Sequence, residues 1–340
     1  MMLASFAGTS WLRGPLLAEL MPLVLTPVLL VGFRHRNSPL PMIRRAYAVV
    51  LGLVILAFGV LCVSRARRNV VDPPRWDVQS FWLFGHVAVA GYDFYLPESV
   101  HTVADSLRAA GEPVSDADDF TREVVDVGFP YPPPTMLMLA PLGTLGMHAA
   151  ALLWYVIIVA SVAAAIGLLW YLLFEPHGLW ELAFTAAMVL TLRATYSTFA
   201  FGQTNFLLLL LLLLFWRNRE RISGGVYLAL AIVVKPIGAF FLAWTVLDRR
   251  WRSVLTTFLV LAGLAAATAL MFGPHVFRSF ITNNSTGRLP HSVYSSQVNQ
   301  SLLATWVRAT HYDFSHGSPL AQPAFLVTAF AIAGLTFSMV

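Results

Sequence analysis

Eight consecutive leucines, Leu207 to Leu214, followed by Phe215, set the first limit on this chain. No soluble amphipathic helix carries such a run on every face, and a membrane β-barrel would show alternating segments of about ten residues instead. Comparable apolar stretches recur throughout, separated by short arginine-rich connections. Hydrophobic residues make up 58% of the chain and charged residues 11%, against about a quarter charged in ordinary soluble domains. The expected fold is therefore all-α: a polytopic transmembrane helical protein. The formal charge of +5 is carried largely by arginines between spans, which fits topology and lipid headgroups and gives no reason to expect nucleic acid. The single cysteine, Cys62, lies in an apolar run and has no internal disulfide partner.

The basic connections give the topology. Leu16 to Phe33 is apolar but interrupted by Glu19, Pro22 and Pro27, so it spans or lies in the interface. Residues 1–45 read as an N-terminal extension and residues 46–340 as the main membrane domain. Arg34, Arg36, Arg44 and Arg45 mark a cytoplasmic connection. Ala46 to Val63 then runs outward, residues 64–134 form a large outer loop, Ala149 to Leu173 returns, and Leu182 to Ala200 runs outward again. GQTN (Gly202 to Asn205) is the next apex. Ser253 to Phe272 leads to a second outer loop, 273–322. The apolar Pro323 to Val340 closes the sequence without a charged flank, so further spans are expected beyond it.

The segment 224–247 does not fit a single crossing. Arg217, Arg219 and Arg221 precede it and Arg249, Arg250 and Arg252 follow it, so both ends belong to the cytoplasm. Lys235-Pro236 sits in the middle, where proline breaks the helical ladder. Each half reaches about 18 Å, roughly half of a ~30 Å hydrocarbon core. The expectation is a hairpin of two half-helices with Lys235-Pro236 at its tip, lining a cavity.

Polar groups at the outer face carry the candidate chemistry. Asp77 opens an aromatic stretch, WDVQSFWLFGHVAVAGYDFY, directly after a span; it can act as a helix cap or as a general base. Lys235 and Arg193 are cations inside apolar segments, where a charge costs about 2.5–3.5 kcal/mol, and a lipid phosphate is the natural counter-ion. Arg193 has plainer explanations too, snorkelling or pairing with Glu181. Gln203 and Asn205 can bind a sugar or join helices. Tyr131, with Trp76, Trp82 and Trp306, offers a ring for sugar stacking. His291, Tyr294, Asn299, Gln300 and Arg308 provide a carbohydrate-binding mixture in the second loop. Asp93 is expected in a turn, and the Asp116, Asp118, Asp119 cluster reads as solvated loop; no His/Cys cluster has zinc spacing. Arg65, Arg67 and Arg68 fall on the outer side and can hold an anionic lipid phosphate.

The order of these features (Asp77, then Gly91-x-Asp93-x-Tyr95, YPPP at 131–134, Pro141-Leu142, GQTN, Gly225 leading to Lys235-Pro236, RRWR at 249–252, NQSL at 299–302 and Arg308) resembles the integral-membrane mannosyltransferases of glycosyltransferase family 87, in the GT-C superfamily. The resemblance covers about residues 46–340. It implies transfer of a sugar, typically mannose, from a polyprenyl-phosphate donor to a lipid or glycan acceptor, at the outer face of the plasma membrane. By this resemblance Asp77 matches the catalytic aspartate, and the GQTN and Lys-Pro positions match family motifs; the chemistry of the residues themselves assigns Lys235 and Arg193 to the donor phosphate, and Gln203, Asn205, Tyr131, His291, Asn299 and Gln300 to sugar or acceptor. No cofactor is expected, and the need for a divalent metal stays open. Two other readings remain: a transporter or flippase of a lipid-linked saccharide, and a non-catalytic envelope scaffold.

Overall fold

The computed structural model describes residues 15–72, 77–114 and 129–284. Among these residues it is all-helical, as the apolar periodicity requires. The helices are α1 (Pro15–Arg34), α2 (Pro41–Val71), α3 (Asp77–Val89), α4 (Pro97–Ala109), the short α5 (Met136–Leu139), α6 (Met147–Leu173), α7 (Leu179–Thr191), α8 (Arg193–Phe201), α9 (Asn205–Arg217), α10 (Ile222–Val234), α11 (Ala239–Leu247), α12 (Trp251–Phe272) and α13 (His275–Asn284). Three of them, α2, α6 and α12, are long and apolar enough to cross a membrane.

Two boundaries differ from expectation. The helix expected to end at Val63 continues to Val71, so Arg65, Arg67 and Arg68 ride on its last turns. There Arg65 Nη2 donates to the Tyr196 hydroxyl at 3.0 Å, which ties this arginine to α8. The outward run 182–200 is not one helix: it breaks at Leu192, whose backbone is extended (φ −63°, ψ 136°). Neither proline nor glycine causes this. Leu192 N–H and the Thr195 hydroxyl both donate to Val189 O, the carbonyl that a continuous helix would give to Arg193. A threonine hydroxyl competing for a backbone acceptor favours such a break.

The hairpin is present. Pro236 to Gly238 form a 3-10 turn between α10 and α11, and a Cβ on Gly238 would lie 3.0 Å from the Ala231 backbone, so the chain doubles back tightly on α10. Its two ends meet. Arg250 pairs with Glu220, Ser253 Oγ donates to Arg219 O at 2.7 Å, and Trp244 stacks on Trp216 with centroids 5.3 Å apart. Gly225 lets α10 lie against α12: a Cβ there would come within 2.5 Å of Ser253 O. Small residues at such contacts are the usual device for close packing of membrane helices.

α3 sits in the core although it is only 13 residues long. Its Val78, Phe81, Trp82, Leu83, Phe84 and Val87 are all buried, and a helix that is apolar on every side belongs inside. Each such side chain contributes about 1.5–3 kcal/mol. Gly85 and Gly143 let the backbones touch: a Cβ on Gly143 would lie 2.1 Å from Gly85 C. The proline-rich turn 133–144 is thereby pressed against α3. A second group of helices, α1, α2 and α7, packs around Tyr47, which stacks on Trp180 at 5.8 Å, with Arg36 and Glu181 paired at 3.0 Å. Glu181 is thus engaged by Arg36.

Candidate active site

Asp77 is the first residue of α3. Among the described residues its carboxylate accepts no hydrogen bond and forms no ion pair, so it does not serve as a side-chain cap of its own helix. Burial pushes its pKa up to about 6, and the Lys235 ammonium works in the opposite direction. A carboxyl group poised near neutrality in a half-buried site is the usual mark of acid–base work.

The GQTN apex is built against the start of α3. Gly202 has φ +76°, and a Cβ there would lie 2.0 Å from Val78 Cγ2, so only glycine both ends α8 and lets Val78 approach. Two adjacent residues of α6 clamp this region from below. Trp154 Nε1 donates to Gly202 O at 2.7 Å, and the Tyr155 hydroxyl donates to Phe199 O at 3.1 Å. Asn69, a buried polar residue on α2, donates to Phe199 O at 2.7 Å and to the Tyr155 hydroxyl at 2.6 Å. Neither Asn69 nor Trp154 stood out in the sequence; an amide on an otherwise apolar helix was the available signal.

Lys235 reaches this apex from the hairpin tip. Its Nζ donates to Asn205 Oδ1 at 2.7 Å, and Asn205 Nδ2 in turn donates to Gln203 Oε1 at 2.7 Å. The tip is held by the proline-rich turn. Pro236 offers no N–H, and the break leaves Val233 O without a helical donor; the Thr135 hydroxyl donates to it at 2.6 Å. Tyr131, four residues earlier, packs edge-on to Phe81 at 5.6 Å. Burial and the nearby Asp77 charge hold its hydroxyl far above the ordinary tyrosine range.

Five of the sequence-derived residues therefore share one region: Asp77, Tyr131, Gln203, Asn205 and Lys235. Arg193 is elsewhere, exposed on the first turn of α8 and about 13 Å along that helix from the apex. Trp82 is fully buried and donates from Nε1 to Leu145 O at 2.8 Å, so it serves packing and does not face a sugar. Trp76, the Asp116–Asp119 cluster, His291, Tyr294, Asn299, Gln300, Trp306, Arg308 and the final apolar span lie outside the described residues.

The GYDFY turn has a second task. Gly91 takes φ +79° and Asp93 Oδ1 accepts the Tyr95 N–H at 2.9 Å, as a turn aspartate should. Asp93 Oδ2 also accepts from Ser279 Oγ at 2.6 Å, with His275 Nε2 at 3.9 Å. That bond joins the loop after α3 to α13.

A sequence model described as Glycosyltransferase family 87 matches residues 129–340. The match takes in Tyr131, the GQTN apex, the Lys235 hairpin and residues 273–322, but begins after Asp77, whose place in the site rests on geometry. Neither the curated proteins nor the solved structures yielded a match. With more than half of its length matched by that model, the chain belongs to glycosyltransferase family 87.

Proposed function

We propose that this membrane glycosyltransferase moves a sugar, mannose first among the candidates, from a polyprenyl-phosphate donor to a hydroxyl of a lipid or glycan acceptor at the outer face of the plasma membrane. The observation that carries the reading is the proximity of a carboxylate with a pKa near 6, Asp77, to an ammonium group, Lys235, at the tip of a half-helix hairpin. At pH 7 most Asp77 groups are ionised, and among the described residues they have no hydrogen-bond or ion-pair partner. Asp77 takes the proton from the acceptor hydroxyl as its oxygen bonds to the anomeric carbon. The bond from that carbon to the phosphate oxygen breaks, and the electron pair leaves with the polyprenyl phosphate. Lys235 offsets the charge that grows on the phosphate. Attack opposite the leaving group inverts the anomeric centre.

The remaining assignments follow the same chemistry. Gln203, Asn205 and Tyr131 are assigned to the sugar or acceptor. Arg193, away from the apex, is assigned to the lipid phosphate as it approaches, and His291, Asn299 and Gln300, outside the described residues, to the acceptor. A hairpin of half-helices also suits transport of a lipid-linked saccharide, which would move substrate across vesicles without a new glycosidic bond. Purified protein given radiolabelled polyprenyl-phosphate mannose and an envelope lipid extract decides between them. A new labelled glycolipid, absent with Asp77→Asn, supports transfer; label that crosses the bilayer without chemical change refutes it.

A further inference from the structure

The N-terminus of α9 has more unmet hydrogen-bonding capacity than any packing role explains. α9 runs 13 residues from Asn205, and its N-cap, Thr204, makes no capping bond. The first helical bond is Leu208 N–H to Thr204 O at 2.9 Å. Before it, the N–H groups of Asn205, Phe206 and Leu207 have no acceptor among the described residues. Phe206 is buried, while Asn205 and Leu207 on either side of it are partly exposed. Thr204 is 3% exposed, and its hydroxyl is buried without a hydrogen-bond partner among the described residues. An orphan hydroxyl of this kind destabilises the fold where it stands.

Three free backbone donors, one free hydroxyl and the positive end of a helix dipole together describe an anion seat. Lys235 adds the full charge: its ammonium sits 2.7 Å from the side chain of Asn205, the first residue of the same helix. We infer that the N-terminus of α9, with the Thr204 hydroxyl and the Lys235 ammonium, is the seat of the donor's lipid-linked phosphate. This rests on the donor reading above and makes it specific. The phosphate oxygens take the N–H groups of Asn205 and Phe206. Thr204 Oγ1, on the N-cap residue of the same helix, donates to the same group. Lys235 exchanges Asn205 Oδ1 for a phosphate oxygen. Gly202 and Trp154 hold the turn in place, and Gln203 and Asn205 face the sugar.

The test is Thr204→Val in the full chain, with Thr204→Ser as the conservative partner. Binding of sugar-free polyprenyl phosphate and of uncharged polyprenol is measured by titration calorimetry in detergent, together with the donor KM. Thr204→Val should weaken polyprenyl phosphate roughly 10- to 100-fold, as loss of a bond to a charged acceptor does. The donor KM should rise in step, polyprenol binding should stay as in wild type, and Thr204→Ser should restore both. The melting midpoint of the valine variant should be unchanged or higher, because the hydroxyl it loses had no partner. A valine variant that binds polyprenyl phosphate as wild type does, while wild type transfers sugar, overturns the seat and leaves the donor reading standing. Equal losses for polyprenyl phosphate and polyprenol overturn it as well. Wild-type protein that neither binds polyprenyl phosphate nor uses its sugar conjugate overturns both.

Discussion

Replacing Lys235 by methionine tests the electrostatic pairing at the centre of the site. The substitution keeps the length and apolar stem of the side chain and deletes its charge. Asp77 and Lys235 lie beyond direct ion-pair distance, yet the ammonium holds the Asp77 pKa below the value that burial alone would set. At ion-pair distance and an effective dielectric constant near 20, Coulomb attraction would be about 4 kcal/mol, an upper bound for this pair; half of it, ~2 kcal/mol, is the scale tested here. Each 1.36 kcal/mol is one pKa unit, so the Asp77 pKa should rise by about 1.5 units in the variant. A general base works ionised. The acidic limb of the kcat/KM profile, near pH 6 in wild type, should therefore move toward pH 7.5 in Lys235→Met. Weaker phosphate binding lowers the whole profile, but only loss of the coupling displaces the limb. Transfer of radiolabelled mannose measured from pH 5 to 9 separates the two effects. A limb that stays near pH 6 would refute the pairing and with it the shared chamber.

Asp77→Asn should reduce transfer by about 10²–10⁴-fold while the protein still folds and reaches the membrane, read by product formation against expression level. Gly202→Ala should lower the melting midpoint by the equivalent of about 1–3 kcal/mol, because Val78 must move and the left-handed backbone is strained; an unchanged midpoint would contradict the close approach. Thr135→Val strips Val233 O of its donor and should cost about 1–3 kcal/mol. It should also raise the donor KM, since the hairpin tip that carries Lys235 loses its tether.

How much of this was legible in the sequence depended on which force decided each feature. The hairpin at 222–247 was legible because charge placement relative to the bilayer is a one-dimensional rule, and six arginines on its two flanks obey it. The break at Leu192 was not, because it depends on whether Thr195 reaches Val189 O, and the same residues also permit a continuous helix. The end of α2 was missed because hydropathy drops at Arg65 while the backbone ladder does not. In the site, Asp77 and Lys235 declared themselves as charges in apolar company. Thr204 could not: its significance is the lack of a partner, which is a property of the fold and not of the letter. Asn69 and Trp154 act on carbonyls of residues far along the chain, and no local pattern encodes those pairs.

The backbone contact between Gly85 and Gly143 has a mechanical consequence. Main chain rests on main chain there, so nothing compressible separates α3 from the proline-rich turn. That turn grips the hairpin through Thr135. A push on the helix bearing Asp77 is thus passed on to the peptide bearing Lys235. Any motion that drew these two side chains apart would have to break either the glycine contact or the Thr135 bond.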